Sequence, residues 1–125
     1  MFSGSIIIGI LIMMGMYAVQ HDDAREATYV AQPAVNDYYV VNLTEIFEEV
    51  DTEYPYGLMR IADVTSTGIE MQVGNMAYNK ASGVKKDIRQ GKASADTYYG
   101  SEIILFELAD LQQLRDSGAV YSIER

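Results

Sequence analysis

The sequence predicts an amino-terminal transmembrane helix followed by a small β-rich α+β domain, an SH3-like or OB-like small barrel with one short C-terminal helix. Three observations predict this arrangement. No residue among the first twenty carries a charge, and most of them are apolar. Short runs of β-branched and aromatic residues follow, with turn residues between them. One late segment repeats leucine at three-residue spacing, which is typical of a helix.

The uncharged segment, 1–20, has the length of a membrane-spanning helix. At about 1.5 Å per residue it spans roughly 30 Å, the thickness of a hydrocarbon core. We therefore expect a single-pass membrane anchor, whose core residues are Ile6, Ile7, Ile8, Ile10, Leu11, Ile12, Met13 and Met14. Ser5, Gly9 and Gly15 are small residues that would let another membrane helix approach closely.

Two other interpretations of this segment remain open. A cleaved signal peptide needs basic residues before the apolar run, and none is present; Met16 also stands where cleavage after Ala18 needs a small residue. A buried element of a soluble domain needs cover on every side, because the run has no polar face. For an anchor in a bacterial inner membrane, we expect the β-rich domain on the extracytoplasmic side.

The rest of the chain divides into a polar connector, 21–36, and a folded domain, 37–125. Strands are predicted at 38–41, 58–64, 69–73, 76–78, 102–106 and 121–123, where β-branched, aromatic or alternating apolar residues occur. Ser66, Thr67 and Gly68 supply a tight turn, so the second and third strands are predicted to form a hairpin. Gly74 and Asn75 predict a bulge or bend after it.

Two helices are predicted within the domain. A short one, of one or two turns, lies within 44–50 with Thr44 as its cap. The other covers 108–115, and Gly118 is placed to end it in a left-handed conformation. In the connector, 22–30 is rich in good helix formers and extends the first helix until Pro33 stops it.

Basic residues concentrate in the segment 80–92, which carries +4 in a chain of net charge −9. Its cations are Lys80, Lys85, Lys86, Arg89 and Lys92. They predict contact with anionic lipid headgroups or an acidic partner, and a solvated connection that keeps the protein soluble is the alternative. Ser82, Gly83 and Gly91 favour a long loop, or a short helix between flexible ends.

Acidic residues cluster in the segment 45–53. They are Glu45, Glu48, Glu49, Asp51 and Glu53. Carboxylates at this density can bind Ca²⁺ or Mg²⁺, but their spacing lacks the calcium-loop pattern and its glycine. We interpret the cluster as a solvated acidic surface and predict no metal site.

Tyrosine makes up ten of the 125 residues, and its ring suits both a thin core and a protein interface. The candidate interface aromatics are Tyr54, Tyr56, Tyr98 and Tyr99. Aromatic and basic residues also combine on faces that bind single-stranded nucleic acid. The negative net charge would repel phosphate, so no nucleic-acid partner is expected.

The sequence offers little catalytic equipment. There is no cysteine, and the one histidine, His21, borders the apolar segment away from other candidate groups. Phosphate-loop, dinucleotide, HExxH and GxSxG motifs are absent from the sequence. No catalytic residue and no cofactor are therefore predicted.

These features favour a membrane-anchored, non-enzymatic accessory or assembly subunit of a larger membrane or envelope complex, acting by protein–protein contact. The expected partners are the membrane and other protein subunits, in a hetero- or homo-oligomer. One alternative is a self-assembling structural subunit, in a filament or ring, packed through the apolar amino-terminal helix. A second is a periplasmic or secreted ligand-binding domain or enzyme after signal cleavage.

Overall fold

The predicted strands join into one five-stranded antiparallel sheet. The structure is a computed structural model and describes residues 25–125. Its strands are β1 (Tyr38–Asn42), β2 (Tyr56–Val64), β3 (Ile69–Tyr78), β4 (Tyr99–Phe106) and β5 (Val120–Glu124). They lie in the order β4-β3-β2-β1-β5, which leaves β4 and β5 at opposite edges.

Helices cover both faces of the sheet. They are α1 (25–31), α2 (Ala81–Arg89) and α3 (Leu108–Ser117), and 3₁₀ turns occupy Leu43–Glu45, Lys92–Ser94 and Asp96–Tyr98. On one face, Val30 of α1 and Leu111 of α3 pack against sheet residues that include Met59. On the other, Val84 of α2 packs against Leu58. The sheet therefore has an apolar core on each side.

The expected SH3-like or OB-like barrel is wrong, although the small β-rich α+β domain is confirmed. Edge strands β4 and β5 do not pair with each other, so the sheet stays open. The physical reason is that the central strands carry apolar side chains on both faces of the sheet. Helices must therefore pack against each face. Within the described residues there are three α-helices, and α3 is the short helix expected near the C-terminus.

The hairpin of β2 and β3 is confirmed, with Val64 paired to Ile69 across the turn. The strands predicted at 69–73 and 76–78 are one strand, β3, whose register with β4 shifts between Gln72 and Gly74. A Cβ atom on Gly74 would lie 2.7 Å from a ring carbon of Tyr98, so the absence of a side chain at this position leaves room for the ring.

The two predicted helices have different outcomes. The later one forms as α3, and Gly118 follows it with a φ of 92°, as predicted. Of the one or two turns predicted at 44–50, a single 3₁₀ turn forms at Leu43–Glu45, and the Asn42 side chain caps it by accepting from the Thr44 N–H. The chain that follows turns Phe47 toward the core instead of continuing the helix.

The predicted anchor lies outside the described residues. This holds for the segment 1–20, with its apolar core and the small residues Ser5, Gly9 and Gly15. In the part of the chain from 25 onward, every helix is too short or too polar to cross a bilayer. Residue Val30, in the predicted connector, is buried in the core of the domain.

An ion pair between a buried carboxylate and a partly exposed guanidinium joins the start of β1 to the residue that follows β5. Asp37 is fully buried, and the Arg125 guanidinium donates to both of its carboxylate oxygens, from Nε at 2.7 Å and Nη2 at 2.9 Å. Nη2 also donates to the Gln32 carbonyl, and the guanidinium lies 4.3 Å from the centre of the Tyr29 ring. The Ala34 N–H donates to the same carboxylate. The side chain that directly follows the last strand therefore holds α1 and the start of β1 in place.

Replacing Arg125 with Gln leaves the Asp37 carboxylate buried without its cation. We expect the free energy of unfolding to fall by about 2 kcal/mol: removing one partner of a buried pair costs about 3–5 kcal/mol, and Arg125 is partly exposed. Urea unfolding of the full chain in mild detergent, followed by tyrosine fluorescence, measures the change. The control is Arg89→Gln on the exposed side of α2, which should shift stability by less than about 0.5 kcal/mol. Equal losses in the two variants would contradict a role for the pair.

Candidate functional site

The outer edge of β5 opens into two adjoining clefts. Their volumes are about 320 and 310 Å³, and Glu26 of α1 lines both. Together they follow β5 from Val120 to the C-terminal Arg125. The walls come from all three helices and consist of Arg25, Glu26, Tyr29, Lys85, Arg115 and Asp116. We call this continuous feature the β5 groove.

Tyr121 is the most exposed large apolar side chain of the β5 groove, at 56%. Its ring meets the Tyr56 ring edge-on, with the centroids 6.2 Å apart. The Lys85 ammonium lies 5.4 Å from the centre of the Tyr121 ring. An exposed tyrosine that is held on two sides loses little freedom when a partner covers it, which is typical of residues that dominate interface energies.

The groove is polar, and its charges are mixed. Arg25, Lys85 and Arg125 face it together with Glu26 and Glu124. Arg125 already binds Asp37, and this contact raises the pKa of the guanidinium, which therefore stays charged. A mixed lining of this kind suits the alternating donors and acceptors of a polypeptide better than it suits a single strongly charged ligand.

Ser122 lies at the floor of the same groove. Its Oγ is buried and has no hydrogen-bond partner among the described residues. Buried hydroxyl groups are hydrogen-bonded in most native structures, so an orphaned one points to a bound water or to a ligand group. Because Ser122 lines the groove beside the outer edge of β5, we assign the missing hydrogen-bond partner of its hydroxyl to an occupant of the groove.

A second cavity, of about 390 Å³, lies on the α2 side of the sheet. Asp87 of α2 is buried at its side, and one carboxylate oxygen, Oδ2, accepts from both the Tyr78 hydroxyl at 2.6 Å and the Tyr98 hydroxyl at 2.7 Å. Lys92 and Met76 also line this space. The three hydrogen-bonded side chains tie α2 to β3 and to the turn before β4.

The two phenols of this cluster resist ionisation. The hydrogen bond to Asp87, followed by burial, raises the pKa of Tyr78 from 10 to about 12. Burial, followed by the bond to Asp87, raises the pKa of Tyr98 still further. At neutral pH both hydroxyls stay protonated and donate to the carboxylate. The cluster therefore acts as a structural link, since a phenol held in this way is a poor nucleophile or base.

Arg60 is a further buried charge on this face. Its guanidinium lies 4.1 Å from the centre of the Tyr99 ring, and Nη2 donates to Gln72 at 2.7 Å and to Asp96 at 3.2 Å. The Tyr99 hydroxyl donates to the Ala93 carbonyl. Burial raises the pKa of Tyr99, so this ring too remains neutral. These contacts hold the buried guanidinium between Tyr99, Gln72 and the exposed Asp96, while its Nε has no hydrogen-bond partner among the described residues.

The structure separates the predicted basic residues. The segment forms α2 and the turn after it, and Lys80, Lys86, Arg89 and Lys92 are exposed around them. Only Lys85 reaches the β5 groove, whereas Lys92 borders the cavity beside Asp87. The alternative of a short helix is confirmed, and contact with lipid or a partner stays a prediction.

The remaining predicted residues lie apart from the groove, with one exception. Tyr56 supports Tyr121, and Tyr54 is exposed in the loop before β2. Tyr98 and Tyr99 are buried, where they hold the core together instead of facing solvent. The acidic residues Glu45, Glu48, Glu49, Asp51 and Glu53 are exposed or lie in turns, and within 25–125 no group of acidic or histidine side chains could hold a metal ion.

Sequence reasoning missed Tyr121, Ser122 and the residues of α1 as parts of one site. The available signal was a tyrosine in a short terminal strand, where an edge position exposes alternate side chains. No family model matches the chain, and no curated protein or solved structure is similar enough to match it. The site therefore rests on its geometry.

Replacing Asp87 with Ala separates the causes of the two raised tyrosine pKa values. We expect the pKa of Tyr78 to fall from about 12 toward 10, because its hydrogen bond to Asp87 is the largest cause. The pKa of Tyr98 should stay well above 10, because burial is its largest cause. Titration followed by NMR of ¹³C-labelled tyrosine measures both, with Asp96→Ala as an exposed control.

The same pKa values give the protein a defined alkaline limit. The pKa of Tyr78 is about 12 in the folded state and 10 in the unfolded chain. This difference stabilises the folded state fully below about pH 10, and the stabilisation is lost as the pH rises through about 12. The stability of Asp87→Ala should therefore depend less on pH in this range. An unchanged pKa of Tyr78 in Asp87→Ala would rule out the assigned cause.

Proposed function

We propose that this chain is a membrane-anchored, non-enzymatic accessory or assembly subunit that acts by protein–protein contact through the β5 groove. The observation that carries this proposal is a sheet edge that is unpaired within residues 25–125 and opens between helices into a polar cleft. An extended segment of a partner protein adds to β5 as a sixth strand. Its main chain bonds to the free edge, and its side chains contact Tyr121 and the helix walls.

The dimensions of the groove support this mode of binding. β5 has five residues, so a strand laid along it is about 17 Å long. Main-chain hydrogen bonds supply affinity that is independent of sequence, whereas the pockets beside alternate residues supply specificity. The added strand meets fixed contacts along the groove. They come from Tyr121 and Lys85 on one side and from Tyr29 of α1 near the other end.

The apolar segment 1–20 supports the cellular setting of the proposal. Its length suits a single membrane span, and the described part of α1 starts at residue 25. A domain tethered in this way stays at the membrane surface, on the extracytoplasmic side of a bacterial envelope. Partner subunits that share this surface then meet the groove at a high effective concentration.

A photo-crosslinking amino acid placed at Tyr121 tests the groove in the native membrane. We expect one discrete adduct with a partner protein at this position, and none at the control position Gln112, on the exposed side of α3. With the probe at Glu124, the additional change Tyr121→Ala should lower the adduct about tenfold, as loss of an interface anchor does.

Three results would contradict the proposal. The first is no adduct at Tyr121 or Glu124, and the second is an equal adduct at Gln112. The third concerns the anchor alone: recovery of the chain in the soluble fraction with a new amino terminus after Ala18 would favour the secreted alternative. The membrane fraction should instead hold a chain that begins at Met1 or Phe2.

A further inference from the structure

The opposite edge of the sheet has a different surface. β4 is eight residues long, and no strand of the described chain pairs with its outer side. Ile103 is 45% exposed and Leu105 is 56% exposed. Both point to the same face of the sheet, because residues two apart in a strand share a face. The edge therefore combines free main-chain groups with a short apolar strip.

The register of β4 with β3 is irregular before Ile103, because Tyr99 pairs with Gly74 and Ile103 pairs with Gln72. From Ile103 to Phe106 the strand is regular and lacks the features that normally prevent edge-to-edge pairing. This part contains no charged residue and no proline, and the one charged residue of β4 is Glu102. Natural sheet edges are usually protected by such residues, by a bulge or by a covering element. An unprotected apolar edge in a folded protein marks a surface that is covered in the working assembly.

We propose that β4 pairs with β4 of a second copy of this chain. The two strands run antiparallel around a twofold axis at Ile104 and join two five-stranded sheets into one sheet of ten strands. This inference goes beyond the proposed function, since it concerns the other edge of the sheet and a homotypic partner. The β5 groove of each copy remains open at the outer ends of the joined sheet.

The register follows from the residues of β4. With the twofold axis at Ile104, Ile104 lies opposite Ile104 of the second copy. Ile103 then lies opposite Leu105 of the second copy, and Leu105 lies opposite Ile103 of the second copy. Two apolar pairs then cover the four exposed side chains. A register centred on Ile103 would place Leu105 opposite Ser101, and one centred on Glu102 would bring two carboxylates together.

The charges of the strand favour the same register. With Ile104 at the axis, Glu102 lies opposite Phe106 of the second copy. The two Glu102 residues are then four positions apart along the strands, or about 14 Å, which exceeds the screening length of about 8 Å at physiological salt. The net charge of −9 still repels a second copy at longer range. Added salt should therefore strengthen the dimer, whereas it would weaken an interface built on ion pairs.

Cysteine crosslinking of the full chain in mild detergent tests both the pairing and its register. The chain has no cysteine of its own, so each crosslink reports only the introduced residues. Ile103→Cys and Leu105→Cys chains, with tags of different size, are oxidised separately and as a mixture. Facing residues of antiparallel strands have Cα atoms about 4.5–5.5 Å apart, which suits a disulfide, whereas two copies of Ile103→Cys would be offset by two positions.

We expect a mixed-tag dimer to form rapidly in the mixture, with little dimer in either variant alone. Ile103→Lys should lower the dimer fraction about tenfold in sedimentation measurements, because an ammonium would lie against the apolar strip. The matched control is Tyr54→Lys, at an exposed tyrosine away from β4, which should leave the dimer fraction unchanged.

Other outcomes overturn the inference. Equal crosslinking in all three samples would show random collision, and absence of the mixed dimer would show that β4 does not pair with itself in this register. A dimer that survives Ile103→Lys would place self-association elsewhere, such as in the apolar amino-terminal segment. A crosslink of β4 to a different protein would assign this edge to another partner. None of these results depends on whether the β5 groove binds a partner.

Discussion

Burial of the sheet on both faces is the constraint on which the rest of this structure depends. In β2, five consecutive residues from Gly57 to Ile61 are buried, and they point alternately to the two sides. A strand of this kind cannot belong to a sheet with one wet face. Helices must cover each side: α2 packs on one face, and α1 and α3 pack on the other. A sheet covered in this way has no need to close, so it keeps two edges.

The hairpin and α3 could be predicted because their signals are local. A turn triplet lies between β2 and β3, and a leucine repeat followed by Gly118 marks α3 and its end. The layer architecture could not be predicted in the same way. Leu58, Met59 and Ile61 satisfy either an alternating strand or a strand buried on both sides, and only the position of α2 decides between them.

The sequence of α2 disguises its role. Gly83 is a poor helix former, and Asp87 is a charge at a position that faces the core. Both have reasons that appear only in three dimensions. A Cβ atom on Gly83 would lie 2.7 Å from ring carbons of Tyr78, and Asp87 accepts the hydroxyls of Tyr78 and Tyr98. The residues that weaken the helical pattern are those that fix the helix to the sheet. The β5 groove was equally hidden, since its walls come from segments that are far apart along the chain.

Within residues 25–125 the two edges of the sheet are free and differ in protection, and on this difference we base the two different partners that we propose. β5 lies between charged helix walls, with Tyr121 held by Tyr56 and Lys85, so an arriving strand meets fixed polar contacts and must match them. β4 offers main-chain groups and an apolar strip without such walls. In the dimer that we propose, a second identical strand complements these features. Selective binding therefore fits the β5 edge and self-pairing fits the β4 edge. A closed barrel of the same strands would have removed both edges, so the open sheet is what makes assembly from two sides available to a domain of this size.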